Sequence, residues 1–487
     1  MRKFPLRLRL APLARSVSLR FALAAAVALA GCTTPVLKSS VEVPPQYAAA
    51  QSRGEPEVAW WDSYGDPVLS GLIRRAASEN RDVKMAAERV RAARAGETIS
   101  RSFLFPNLGA SAGGLRQSSG YDAETRQQVP NARVAAASLD VSWEVDLSGR
   151  LRAGAAAAKA EKVATEDVAR GVRLLVMSDV ATNYFTLCGA LRQLDTVRAI
   201  AAAQDETLRL VEAREHAGLA THFDVERAQT DAARAHAAIP PLETLAATSR
   251  NRIAVLVGDQ AFHASAIVPW QGATLVPPTR AGQPAELLER RPDLLAAQAQ
   301  LEAANARRQQ AAAEWFPRLF INAAFGSQGV EINGNSLGAT RFTNAAALLA
   351  MPIFNAGRTG AINEQAAAAQ TEAAMRYESA IVSALEDVEN AVTTLDNERS
   401  RATSLRTSAD SATAALAHAR SLYERGQVDL LPLLDAQRAQ LAARVGANDS
   451  DTQLLLDSVQ LYKALGGGWE VFETAPATAA AEAKPRS

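Results

Sequence analysis

Two stretches of this chain, from Gly149-Arg150 to Gly218 and from Gly357-Arg358 to Gly426, have equal length, contain no proline and are rich in Ala, Leu, Glu and Arg. If helical throughout, each spans about 100 Å at 1.5 Å rise per residue. A globular core cannot use a helix that long, so the pattern predicts a coiled coil or an array of long helices. The small aromatic share, 5%, together with abundant alanine suits closely packed helices better than an all-β sandwich.

The equal lengths belong to a larger tandem duplication. Asn80-Arg81-Asp82, Phe105-Pro106-Asn107-Leu108 and Trp143-Glu144-Val145-Asp146-Leu147-Ser148-Gly149-Arg150 recur in order as Arg291-Pro292-Asp293, Phe316-Pro317-Arg318-Leu319 and Met351-Pro352-Ile353-Phe354-Asn355-Ala356-Gly357-Arg358. The offset is 211 residues for the first two landmarks and 208 for Gly149-Arg150. In each half a helical pattern leads into Phe-Pro, where proline stops it. The period then changes. In 134–146, Leu139, Val141, Trp143 and Val145 alternate with Ser138, Asp140, Ser142, Glu144 and Asp146, a strand with one apolar and one charged face.

Strands are expected at about 107–118 and 134–146, and at about 318–328 and 341–354, with polar loops joining each pair, the second being SQGVEINGNSLG. The proline-rich stretch from Pro240 to Arg291 reads as an irregular connection. Four strands of membrane-crossing length cannot close a barrel, since known outer-membrane barrels begin at about eight strands. Open edges do not survive in lipid. The chain is therefore expected to oligomerise, and three copies would supply about twelve strands above a bundle of long helices. The expected fold class is mainly α with a transmembrane β-barrel part and long helical hairpins.

Lys plus Arg balance Asp plus Glu at 52 each, so no global field points to nucleic acid or an anionic ligand. The N-terminus is basic and free of acids, followed by the short apolar run FALAAAVALA and Leu29-Ala30-Gly31-Cys32. This predicts a secretion signal over 1–31 with Cys32 lipidated at a lipobox, and no membrane-spanning helix there, because spanning takes about twenty apolar residues. Cys188 is expected to be a small buried core residue.

Trp60-Trp61, Gly65-Asp66-Pro67-Val68-Leu69, Leu72-Ile73, Ala76, Asn80-Arg81-Asp82, Arg89, the Leu287-Leu288-Glu289-Arg290-Arg291-Pro292-Asp293 run and both Phe-Pro landmarks resemble the NodT/OprM branch of the TolC-like outer-membrane factor family. The resemblance runs from Trp60 to about Trp469, departing at Gly282-Gln283-Pro284-Ala285. It implies an outer-membrane lipoprotein whose homotrimer closes a 12-stranded barrel over a periplasmic helical tunnel. Such a trimer is the passive exit duct of a tripartite efflux pump, with a periplasmic adaptor (membrane fusion) protein and an inner-membrane transporter of the RND type. The outer-membrane channel of type I protein secretion and a periplasmic structural or adaptor coiled-coil lipoprotein are the alternatives. The implied organisation is a lipid-anchored segment over 32–65, a first repeat over 66–257, an irregular equatorial connection over 258–285, a second repeat over 286–469 and a disordered tail over 470–487.

The repeated tips carry the candidate working parts. Gly218 and Gly426 sit where a helix should end in a left-handed residue. Thr221 and Asp429 follow as N-caps, Thr221 to Asp224 resembles a capping box, and Pro432 falls in the next first turn. The tips are placed at about 217–222 and 425–430. Leu431, Asp435 and Arg438 share one helix face, with Phe223, Arg227 and Thr230 as repeat equivalents. The resemblance places the periplasmic gate at Leu431, Asp435 and Arg438, with Arg438 or Arg227 holding Asp435 ionised. It also makes Gly218, Leu219, Gly426 and Gln427 candidates for docking the adaptor. No catalytic residue, metal site or cofactor is expected beyond the lipid on Cys32. Gly109-Ala110-Ser111-Ala112-Gly113 matches G-x-S-x-G but lies in a predicted strand without the following helix, and His216 and His222 lack a ligand set.

Overall fold

The computed structural model describes residues 34–48, 57–118, 120–122, 124–125, 131–259, 267–269, 276–278 and 280–473. Cys32, the signal sequence and much of 258–285 lie outside them. Two compact units emerge. One draws on Met1–Ser39, Arg91–Ala164 and Ala297–Tyr377, the other on Ser40–Val90, Thr165–Ala296 and Glu378–Ser487. Each takes pieces of both sequence halves, so the duplicated halves are units of sequence and not of packing.

The first unit holds a single antiparallel sheet in the order β1-β2-β3-β4: β1 is Asn107–Gln117, β2 Ala132–Val145, β3 Arg318–Ile332 and β4 Asn335–Ala350. Pairing of β2 with β3, from Ala132 opposite Ile332 to Val145 opposite Leu319, joins the two halves. Cross-strand partners share a face. One face therefore carries Asn107, Ser111, Ser138, Asp140, Asn322 and Asn344, and the other Leu108, Leu139, Val141, Trp143, Ile321 and Phe325. Ser111 of the G-x-S-x-G match hydrogen-bonds to Asp140 and Ser138 within the strands.

The second hairpin differs from the expected 318–328 and 341–354 with a polar loop between. Its strands run on to a two-residue turn at Asn333 (φ 51) and Gly334 (φ 85). Asn-Gly accepts the left-handed backbone that a tight hairpin requires, so the polar residues flanking it extend the strands. At the other end β4 stops at Ala350, because Pro352 has no N–H for a ladder.

Below the sheet, α2 (Arg81–Ser102) and α7 (Pro292–Ala312) lead into β1 and β3. The long helices are α3 (Arg150–His216) and α8 (Arg358–Glu424), each 67 residues. Arg150 opens α3 with a two-pronged bond to Glu144, its Nη2 lying 2.8 Å from both carboxylate oxygens, while Asp146 accepts from the N–H groups of Leu151 and Arg152. Residues 34–39, without regular secondary structure, lie along this unit, with Asn305 bonding both the N–H and C=O of Leu37 at 3.1 Å.

The second unit is built on an aromatic core. Trp60 stacks on Tyr462 with centroids 5.3 Å apart, and Tyr64 packs against Phe185 at 4.9 Å. Asp66 caps α1 (Pro67–Glu79) through the N–H groups of Val68 and Leu69, and its other oxygen accepts the Tyr184 hydroxyl at 2.7 Å. Asn80 likewise caps α2 and donates to the Leu256 carbonyl at 2.9 Å. The repeat partner of Asn80, Arg291, donates to the carbonyls of Ala384 and Ala464 and pairs with Asp293 and Asp387. Cys188 is only partly buried, packing on this core, and burial pushes its thiol up to about 12.

Two expectations about irregular segments are corrected. Pro240 and Pro241 do not break a helix but start one, α5 (Ile239–Leu256), since first-turn positions need no N–H donor. The tail does not begin at 470. Phe472 stacks on Trp61 at 5.6 Å and Glu473 pairs with Arg170, so residues 470–473 are held against the core. Chain order is completed by α4 (His222–Ala237), the short α6 (Leu287–Arg290) and α9 (Leu430–Leu465).

Gly466 ends α9 at φ 77, and a Cβ there would lie 2.6 Å from Cγ of Arg291. Gly426 has a similar φ of 69 but open space around it. Gly426→Ala should therefore cost only the left-handed penalty of about 1–2 kcal/mol. Gly466→Ala should cost about 2 kcal/mol more by displacing Arg291. Thermal unfolding of the detergent-solubilised protein checks this; equal losses would show that the Arg291 contact is dispensable.

Candidate functional site at the helical hairpin tips

Helices α3 and α4 form one hairpin and α8 and α9 the other, and both tips lie in the second unit. Each first helix ends in a Schellman turn. Gly218 and Gly426 adopt φ 71 and 69, the N–H of Leu219 reaches Arg214 O at 2.8 Å, and the N–H of Gln427 reaches Leu422 O at 2.9 Å. These bonds satisfy carbonyls that the helix end would leave unpaired.

The two tips then diverge. Thr221 and Asp224 form a full capping box: Thr221 N–H donates to Asp224 Oδ2 at 3.0 Å, and Asp224 N–H donates to Thr221 Oγ1 at 3.2 Å. Hydrogen bonds from Thr221 hold the Asp224 carboxyl below the usual carboxylate range. Asp429 occupies the equivalent position, yet its carboxylate makes no cap bond. Pro432 at N3 removes one of the two N–H groups that such a cap could accept.

The hairpins pack together through Val211, Val225, Tyr423, Leu430, Leu433 and Leu434. Polar ties flank that cluster. Gln437 Nε2 donates to Thr207 Oγ1 at 2.8 Å, Arg420 pairs with Glu206 at 3.1 Å, and the Arg214 guanidinium sits 4.6 Å from the Tyr423 ring. The strongest tie is Arg438 to Asp231, with Nη2 2.8 Å from Oδ2 and Nε 3.2 Å from both oxygens.

Asp231 was not among the residues anticipated at the gate. The signal was its position on α4, where Val225, Ala228, Asp231, Ala232 and Ala235 are buried together. A carboxylate on an apolar stripe needs a cationic partner, and Arg438 supplies it. Arg438 therefore turns toward Asp231, with Asp435 a secondary neighbour at 3.7 Å. Arg227 does not reach Asp435 among the described contacts; its guanidinium lies 5.4 Å from the Phe223 ring. Asp435 is left 61% exposed and Leu431 46% exposed, on a surface that the other hairpin does not cover. Leu219 protrudes at 71% exposure. Among the described residues no group of three His, Cys, Asp or Glu is placed to hold a metal ion.

Residues 72–259 and 284–467 match the outer membrane efflux protein family. The chain belongs to that family. It is similar to outer membrane protein OprJ of Pseudomonas aeruginosa, 33% identical over 428 residues that cover 87% of this chain and 89% of that protein. The pyoverdine export outer membrane protein OpmQ of the same organism is 33% identical over 450 residues, 90% of this chain and 94% of its own. The open-state outer membrane channel MtrE of Neisseria gonorrhoeae superimposes with a TM-score of 0.80 at 27% identity, covering 90% of this chain and 99% of that one. The protein is an efflux channel of the outer membrane and not an enzyme.

Two outcomes follow from the tip geometry. The depressed Asp224 carboxyl contributes stability above the unfolded aspartate pKa of about 4 and loses it as pH falls through the lower folded value. Amide exchange at 218–226 should therefore accelerate in that acid window, and Thr221→Ala should speed exchange at neutral pH and blunt the acid response. For the Arg438–Asp231 pair, either alanine variant leaves a charge without its main partner, at about 2 kcal/mol. The double variant should recover much of that loss; strict additivity in a double-mutant cycle would show that the two groups are uncoupled.

Proposed function

We propose that three copies of this chain form a lipid-anchored exit duct of a tripartite efflux pump, gated at the second hairpin tip. The observation that carries it is the four-stranded sheet with one polar face, one apolar face and unpaired outer edges on β1 and β4. Those edges need partners in lipid, where no water can satisfy their N–H and C=O groups. Three copies pairing β4 with β1 close about twelve strands, an even number within the range of known barrels. Cys32 carries the lipid, and an inner-membrane transporter of the RND type and a periplasmic adaptor complete the pump. The exposed Gly218-Leu219 and Gly426-Gln427 turns dock the adaptor. Transported small molecules are selected mainly by the inner-membrane partner.

At the gate, Leu431 and Asp435 of three copies converge near the axis. Arg438, anchored on Asp231, presents cationic charge to Asp435 and limits repulsion among the carboxylates. Contacts of this half-exposed kind are worth on the order of 1 kcal/mol each, weak enough for a bound partner to shift. Reconstituted Asp435→Ala and Arg438→Ala channels should conduct in the absence of adaptor, and leak no greater than wild type would remove both residues from the gate. Sizing in detergent should return three copies per particle, whereas a monomer stable in plain buffer would overturn the duct reading itself.

A further inference from the structure

On the apolar face of the sheet, strand charges occur only near the end farthest from the helices. Arg116 on β1 lies directly opposite Arg133 on β2, and Arg133 lies opposite Glu331 on β3. Arg341 on β4 is opposite Ser327, four residues nearer the helices than Glu331, or about 13 Å along the strand. All four residues share the face of Leu139 and Phe325. Three guanidinium groups thus meet one carboxylate.

That arrangement is unfavourable by itself. Like charges directly opposite across an antiparallel pair destabilise it. Among the described residues Glu331 pairs with Arg133 alone, at 3.7 Å, and the pair is 37% and 55% exposed respectively. Among the described residues Arg116 and Arg341 have no carboxylate partner. Between the arginines the side chains shrink to Gly114, Ala135 and Gly329, then Ala112, Ala137 and Ser327, leaving shallow hollows of about 460 and 520 Å³. The lower hollow runs onto Leu139 and Phe325. An anionic head above an apolar trough is the shape of a charged lipid.

We propose that this outer rim binds a phosphorylated glycolipid of the outer leaflet, its phosphates on Arg116, Arg133 and Arg341 and its acyl chains over the small-residue trough. Guanidinium forks match phosphate oxygens in pairs, which favours phosphate over a zwitterionic head. The hairpin ends point away from the helices that continue into the periplasm, which selects the outer leaflet. The inference rests on the reading that the polar face of the sheet lines the duct and the apolar face meets lipid.

The test uses the purified full-length protein in detergent, with retention of diphosphorylated lipid A and of its dephosphorylated form followed by native mass spectrometry. The phosphorylated lipid should be retained and the dephosphorylated one lost. Arg116→Ala, Arg133→Ala and Arg341→Ala should each weaken retention about fivefold, as expected for one basic side chain at a charged lipid surface. The triple variant should abolish it, and Asp140→Asn on the opposite face should change nothing. Equal retention of both lipids, or a triple variant that binds like wild type while keeping its size, would overturn the proposal. An effect of Asp140→Asn in place of the arginine variants would also overturn it by inverting the faces. Failure of the duct reading is seen separately, as a monomer in place of three copies per particle in the same preparations.

Discussion

A sheet edge in a bilayer has no solvent to pair with, and that constraint governs everything else about this chain. Four strands end in two open edges, and through their middle the strands between them set Ser138, Asp140 and Asn322 on one face against Leu139, Val141, Ile321 and Phe325 on the other. Such a sheet is stable neither as a monomer in water, where the Leu139 and Phe325 face is exposed, nor as a monomer in lipid, where the edges are unsatisfied. Closure by further copies answers both problems at once. It also makes the helices attached to every strand pair neighbours of their copies, so the barrel and the helical array are one assembly decision.

Long helices raise a second problem, because an extended apolar seam specifies register poorly. Polar layers in the seam between α3 and α9 address it. Asn448 donates to Gln193 and Thr196, and Gln437 donates to Thr207 beside the buried Gln204. Residues 193 and 204, 196 and 207, and 437 and 448 are each eleven apart. Eleven residues make three turns of nearly undistorted helix. The layers therefore recur without bending the helices, and a slip of either helix would strand buried amides. Gln204 and Gln437 each keep one buried acceptor atom without a protein partner.

The sequence already disclosed the long helices, the duplication and the alternating strands, because each is written in local pattern: absent prolines, ordered landmarks and a period of two. It concealed what depends on partners far along the chain. The ladder of β3 and β4 through residues 327–338 looked like a loop because its residues are polar, though Asn333-Gly334 marked the turn. Pro240-Pro241 looked like a break because proline opens a helix as readily as it stops one. Asp231 could be suspected from its apolar stripe, but its pairing with Arg438, 207 residues away, is set by how the two hairpins pack side by side.

The tips show how a duplication can divide labour. Both end α3 and α8 with the same Schellman turn, so ordinary turn geometry is common to them. The first restarts its helix with a reciprocal capping box, while the second sets Pro432 where one of the cap donors would be. Its helix α9 thus begins without side-chain support and is held instead by contacts along its flank, above all Arg438 on Asp231. A helix start held from the side rather than from its end can rotate about those contacts without breaking a cap. Local stability is lowest where few bonds must open. On the gating proposed above, the asymmetry makes the second tip the moving element and the first its support, with the buried carboxylate of Asp231 as the pivot.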